Sequence, residues 1–204
     1  MRPVERNEIV DYLTYEEGRD EIRRKVMQEK ADRRVHLGAD LTLLFETRET
    51  VRYQIQEMMR TERIVREADI RHEIETYNEL LGGPGELGCT LLIEIDDPLA
   101  RSDKLARWLD LPKHLYARLE DGTKAYARYD PRQVGETRLS SVQYLRFPVG
   151  GRVPVALGCD HPDPELNAET PLAEAQRAAL ARDLEGEGDV GCFKSPLTAI
   201  TEGQ

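Results

Sequence analysis

A carboxylate and an imidazole three residues apart on a helix can grip one metal ion, and Asp69 and His72 have that spacing. Glu75 follows on the same side of the helix, opposite an apolar stripe of Ile70, Ile74 and Tyr77. Glu57, from the preceding helix, could complete a mononuclear site of oxygen and nitrogen ligands, with Glu46 as a further candidate. Such a set suits iron, zinc or manganese. Only one carboxylate-x-x-His motif is present, so a di-iron centre, which needs two, is not expected within one chain. The competing reading is a solvated helix face, with Glu57 paired to Arg52 or Arg60.

Three other groupings carry possible chemistry. Cys159-Asp160-His161 could offer a thiolate and an imidazole, but Gly158 and Pro162 on either side also describe a tight turn. Gly82-Gly83-Pro84-Gly85 follows a helix instead of opening one and lacks the lysine of a phosphate loop, so it reads as a helix stop. Tyr116, Arg118, Tyr126 and Arg128, with His114 nearby, interleave aromatics and arginines on one strand face, as a docking or anion-binding surface would. Asp96 and Asp97 end a strand, and their side chains point to opposite faces, which suits them poorly to shared acid–base work. No catalytic residue is assigned.

These residues must be held by a frame, and the apolar periodicity describes one. Thr14 and Glu17 fit a capping box for a charged helix over about 15–34 with a thin apolar stripe. A hairpin or strand is expected at 41–46, then helices over 47–64 and 67–81. From Gly88 the period becomes two: Cys89, Leu91, Ile93 and Ile95 share one face. Asp97-Pro98 ends the strand, and Ser102 or Asp103 is expected to cap a short helix. A hairpin turns near Asp121-Gly122. An odd loop centred on Gly122 pairs Leu119 with Ala125 and Ala117 with Ala127, keeping one face apolar; an even loop mixes the faces. That register sets Arg118 beside Tyr126 and Tyr116 beside Arg128. Strand 142–149 buries Leu145, Phe147 and Val149. An edge strand is expected over 152–157, and Thr170-Pro171 is expected to open a helix reaching about Leu184.

The net charge of −10 is uneven: residues 158–204 hold 3 basic and 10 acidic residues, or −7, while 81–157 hold 11 and 10, or +1. Nucleic acid and anionic membrane surfaces are therefore not expected as partners. The start of the chain has no signal-peptide pattern, and no apolar run approaches a membrane span. Three scattered cysteines without a CxxC pair suit a reducing cytoplasm.

The strings RVHLGADLTLLFE, ETVRYQIQEMMRTERI, IRHEIETYNELL with GPGELG, TLLIEIDDP and SSVQYLRFP resemble a bacterial family known as domain of unknown function 3501, over roughly Glu21 to Leu184. The resemblance implies no activity and no catalytic residues. It does imply genomic company: genes of this type often stand beside rubrerythrin-like and iron–sulfur redox proteins.

Together these readings give an α+β fold, with N-terminal helices packed on a mostly antiparallel sheet, a C-terminal helix and a flexible acidic tail. Residues 1–83 form a helical region with a short strand or hairpin. Residues 84–150 form a sheet region packed on it as one domain, 151–184 an extension with a helix, and 185–204 the tail. Three functions stay open: a redox- or oxidative-stress-linked interaction protein, a metal-binding protein or metal-dependent enzyme using the helix pair, and an anion- or small-ligand-binding module. A homodimer is expected, because the first helix has a poorly covered apolar side.

Overall fold

The computed structural model describes residues 1–186; the stretch expected as an acidic tail, from residue 187 on, and Cys192 lie outside the described residues. The chain runs through α1 (Tyr12–Ala31), β1 (Arg34–Leu37), β2 (Leu41–Phe45), α2 (Arg48–Glu62), α3 (Glu67–Asn78), β3 (Leu87–Ile93) and α4 (Pro98–Arg107). It continues through β4 (Leu115–Arg118), β5 (Lys124–Tyr126), β6 (Arg128–Tyr129), β7 (Val142–Phe147), β8 (Ala156–Cys159), β9 (Ala168–Pro171) and α5 (Glu174–Glu185). The class is α+β, as the periodicity predicts. Among the described residues no helix is long and apolar enough to cross a membrane.

The strands form two antiparallel sheets, ordered β1-β2-β3-β7-β6 and β5-β4-β8-β9. Ala127 alone separates β5 from β6, so one bent stretch serves both sheets, and its N–H donates to Leu115 O at 2.9 Å. At the opposite edges Thr170 Oγ1 of β9 donates to His36 O of β1 at 3.0 Å. The sheets thus curl toward a barrel. Its interior is filled by Leu43, Phe45, Leu91, Phe147, Leu115 and Leu157, with Trp108 and Leu180 joining the same cluster. Each large apolar side chain so enclosed contributes about 1.5–3 kcal/mol. The alternation read over 89–95 is the pattern of β3: Cys89, Leu91 and Ile93 face inward, and register pairs Cys89 with Phe45 and Leu145.

A second cluster covers the outside of the first sheet. Val51, Ile55 and Met59 of α2 meet Ile70, Ile74 and Tyr77 of α3, and Tyr144 of β7 packs against them. Thr47 caps α2, its hydroxyl accepting from Thr50 N. Residues 151–184 supply β8, β9 and α5, and Leu180 sits fully inside the barrel core. Arg33, at the end of α1, donates two hydrogen bonds to Asp183 of α5, at 2.9 and 2.8 Å.

Several local expectations are corrected. Asp11 caps α1 in place of Thr14, accepting from Leu13 N and Thr14 N, so the helix starts three residues early. Asp97, not Ser102 or Asp103, caps α4, with Pro98 at the first position, where its missing N–H costs nothing. The stretch expected as an edge strand becomes β8, inside its sheet between β4 and β9, with Pro154 left ahead of the ladder. Thr170-Pro171 closes the edge strand β9, where proline is tolerated, and α5 opens after Ala173. The 121–122 hairpin has the odd parity and the expected inward face, but its register is shifted by two. Tyr116 pairs with Tyr126 and Arg118 with Lys124, because the loop is Glu120-Asp121-Gly122 with Gly122 left-handed at φ 83°.

Candidate functional site

One end of β4 and β8 gathers the side chains with the most chemistry. After α4 the chain passes Trp108 and a 3-10 turn, Leu111–His114, that feeds directly into β4. Register pairs Leu115 with Cys159, and Asp160 N–H donates to His114 O at 3.1 Å. Two histidines 47 residues apart are thereby laid side by side, ring centroids 4.9 Å apart and nearly edge-on.

Asp110 joins them. His161 Nε2 lies 3.0 Å from Asp110 Oδ1, and His114 Nε2 lies 3.4 Å from Asp110 Oδ2. His114 Nδ1 lies 3.4 Å from Asp160 Oδ1. Asp163 N–H donates to His161 Nδ1 at 2.9 Å, which places the ring proton on Nε2, directed at Asp110. Trp108 Nε1 donates to Asp163 at 2.9 Å, and Arg107 lies 3.0 Å from the same carboxylate, so the turn carrying His161 is braced. The hydrogen bond from His161 is the main reason Asp110 titrates below the usual carboxylate range. Burial opposes the charge on Asp160, but Tyr126, Lys124 and His114 together still hold its pKa low. Among the described residues, Asp110, His114 and His161 form the group whose ligand atoms lie within 4.8 Å of one another.

Cys159 does not join this cluster. Strand alternation turns it into the barrel core, and burial lifts its pKa to about 11, so the Cys–His pairing is not formed. The helix-pair residues are not brought together either. Asp69, His72 and Glu75 are exposed on α3, with Asp69 3.8 Å from Arg66. Glu57 accepts two bonds from Arg19, at 2.7 and 3.0 Å, and one from Tyr15 at 2.7 Å. Burial opposes its charge, yet these donors hold its pKa below normal. Glu46 accepts from the hydroxyls of Thr50 and Thr90.

The hairpin face borders the histidine cluster. Tyr126 donates to Asp160 at 2.6 Å and Lys124 at 3.0 Å, while Lys124 Nζ sits 4.0 Å from the Tyr116 ring centre. Tyr116 and Arg118 both donate to Glu169, and Arg128 to Glu86. The expected arginine–aromatic pairs are thus replaced by a lysine over Tyr116 and by carboxylate partners. A side chain on Gly158 would meet the Tyr116 ring at 2.3 Å, so the glycine is what lets that ring lie flat across β8. The segment 82–85 is a turn: Gly82 abuts Glu86 backbone, and Gly151 N–H donates to Gly85 O at 3.2 Å.

The histidine cluster left two short traces in the sequence, Asp110 four residues before His114 and Asp160 beside His161. Only the β4–β8 pairing joins them.

Residues 3–184 match the model of a family described as protein of unknown function (DUF3501), and the chain belongs to that family. No functionally curated protein matches the sequence. The chain is similar to a novel protein of unknown function from Burkholderia pseudomallei K96243, known from a crystal structure. The two are 30% identical with a TM-score of 0.82, over 90% of this chain and 100% of that one.

Proposed function

We propose that this DUF3501 family member binds a divalent transition metal through Asp110, His114 and His161. The observation that carries the reading is the placement of two imidazole Nε2 atoms against the two oxygens of one carboxylate, at 3.0 and 3.4 Å. Ligands about 2.0–2.1 Å from a tetrahedral ion lie roughly 3.3 Å apart, so the donor spacing suits zinc, and imidazole–carboxylate sets also take iron or manganese. Asp160 stands behind His114 Nδ1 as the carboxylate that orients a ligating imidazole. Three protein ligands leave a coordination position for water or a substrate, the mark of a site that works on something.

His161 adds a condition. A metal at Nε2 displaces the proton held there toward Nδ1, and Asp163 N–H must then release its bond. Loading is therefore coupled to a change of tautomer at His161 and to a shift of the 161–163 turn.

The test is elemental analysis and calorimetric titration with Zn(II), Mn(II) and anaerobic Fe(II) on the wild type and on His114→Ala, His161→Ala and His72→Ala. Stoichiometric binding that is lost in the first two and kept in the third supports the site. Loss in His72→Ala alone would favour the set of Asp69, His72, Glu75 and Glu57 on the helix pair. No binding in any protein removes both.

A docking role in redox or oxidative-stress metabolism, with rubrerythrin-like or iron–sulfur partners, rests on the gene company the resemblance implies. It is favoured by Leu13 on α1 and Tyr126 on β5, which remain 64% and 44% exposed. Co-purification of a redox protein that Leu13→Glu abolishes would support it; none at native expression would count against it.

A further inference from the structure

A cleft of about 950 Å³ opens between α4 and the 133–142 segment, and its lining does not include Asp110, His114 or His161. Its lining includes Arg101 and Arg138, and hydroxyls from Ser102, Thr137, Ser140 and Ser141. Among the described residues no carboxylate lines it, in a chain whose net charge is −10.

Many surface arginines meet an acid: Arg6, Arg71, Arg107, Arg118, Arg128 and Arg152 each pair with a glutamate or aspartate within 3.0 Å. Arg101 and Arg138 do not. Arg101 is half-buried and donates only to Ile95 O, at 3.1 Å, while Arg138 is exposed on the rim. A half-buried guanidinium without an anion keeps most of its donors for one. The α4 N-terminus contributes little, because Asp97 already caps it.

The wall that presents the hydroxyls is preformed. Gln143, fully buried, donates through Nε2 to the carbonyls of Gln133 and Ser140, at 3.3 and 3.0 Å, and so staples the two ends of the segment. Leu139 N–H donates to Leu105 O at 2.9 Å and ties its middle to α4. Pro98, Val142 and Tyr144 give the cleft an apolar side next to the cationic one.

We infer that this cleft binds a phosphate monoester with an apolar or aromatic body, the phosphate held by Arg101, Arg138 and the serine and threonine hydroxyls. Arginine forks and hydroxyls are the usual donors to a tetrahedral dianion, and the apolar wall takes the body.

The probes are phenyl phosphate and inorganic phosphate, measured by calorimetry and by thermal stabilisation against sodium chloride at matched ionic strength. Saturable binding is expected for both, tighter for phenyl phosphate. Arg138→Ala, which removes an exposed side chain without folding contacts, should weaken both by about tenfold, the value of one charge-assisted hydrogen-bonded contact. Arg101→Ala should do the same, and Arg101→Lys, which keeps a cation, should lose less. Arg24→Ala on α1 and His161→Ala should bind as wild type does, the second separating this cleft from the metal site. Absence of saturable binding, or binding indifferent to both Arg138→Ala and Arg101→Ala, overturns the inference.

Discussion

Removing Asp183 should be among the most damaging single changes the fold can suffer. Its side chain is 1% exposed, that of Arg33 7%, and the two share parallel hydrogen bonds of 2.9 and 2.8 Å across 150 residues. Burial works against the charge on Arg33, but Asp183 more than compensates, so the guanidinium stays firmly protonated. Asp183→Ala strands that cation, which breaking a buried pair makes worth about 3–5 kcal/mol. Arg33 keeps Glu29 O at 3.0 Å and the Glu29 carboxylate at 3.9 Å, so the lower half of that range is expected. For a chain of this size that is roughly 6–16 °C in Tm. The informative comparison is with the double variant Arg33→Met/Asp183→Leu, which removes both charges and refills the space. It should be more stable than Asp183→Ala alone, because replacing a buried pair by apolar groups is often neutral. Urea unfolding of the wild type, Arg33→Met, Asp183→Leu and the double variant gives the coupling. A cost below about 1 kcal/mol for Asp183→Ala, or a double variant no better than the single, would refute the idea that α5 is anchored by this pair.

Gly158→Ala should cost about 1–3 kcal/mol as an overpacked site, and should free Tyr116 from Glu169, seen as a changed tyrosine fluorescence or ring NMR shift. Asp121 is held at a pKa of about 2, chiefly by the backbone N–H of Thr123, then by the Thr123 hydroxyl and by Arg152. Because the folded value lies below the unfolded one, its contribution is complete above about pH 4 and is lost as pH falls toward about 2. Carboxyl NMR titration should show this, and Asp121→Asn should abolish it. Zinc affinity at the histidine cluster should fall as pH falls, because imidazole and carboxylate ligands bind the ion only when deprotonated, and calorimetric titration at a series of pH values checks this.

Local signals carried much of the architecture. The period-two run gave β3 and its inward face, the stripe of Ile70, Ile74 and Tyr77 gave α3, and Thr47 marked the start of α2. Parity also held in the β4–β5 hairpin, since burial penalises any odd slip but is blind to a slip of two. What chose between those even registers was the left-handed Gly122 closing a three-residue loop. Helix starts were misplaced where two nearby residues could both cap: Asp11 and Asp97, in extended backbone, took precedence over Thr14 and Ser102. The candidate site was the least legible part. Neither Asp110-x-x-x-His114 nor Asp160-His161 is more than a charged turn until β8 is laid against β4. That pairing joins Leu115 to Cys159, 44 residues on, a separation that no local periodicity encodes.

The single residue joining β5 to β6 bears on which length changes the chain can tolerate. Tyr126 faces out, Ala127 in, and Tyr129 packs against the core, so one continuous alternation crosses from the second sheet to the first. One extra residue there could not be absorbed as slack. It would turn β6 over relative to β5, drive Arg128 into the interior and expose Tyr129. An insertion at Ala127 amounts to a different sequence for every strand position downstream of it in that sheet edge.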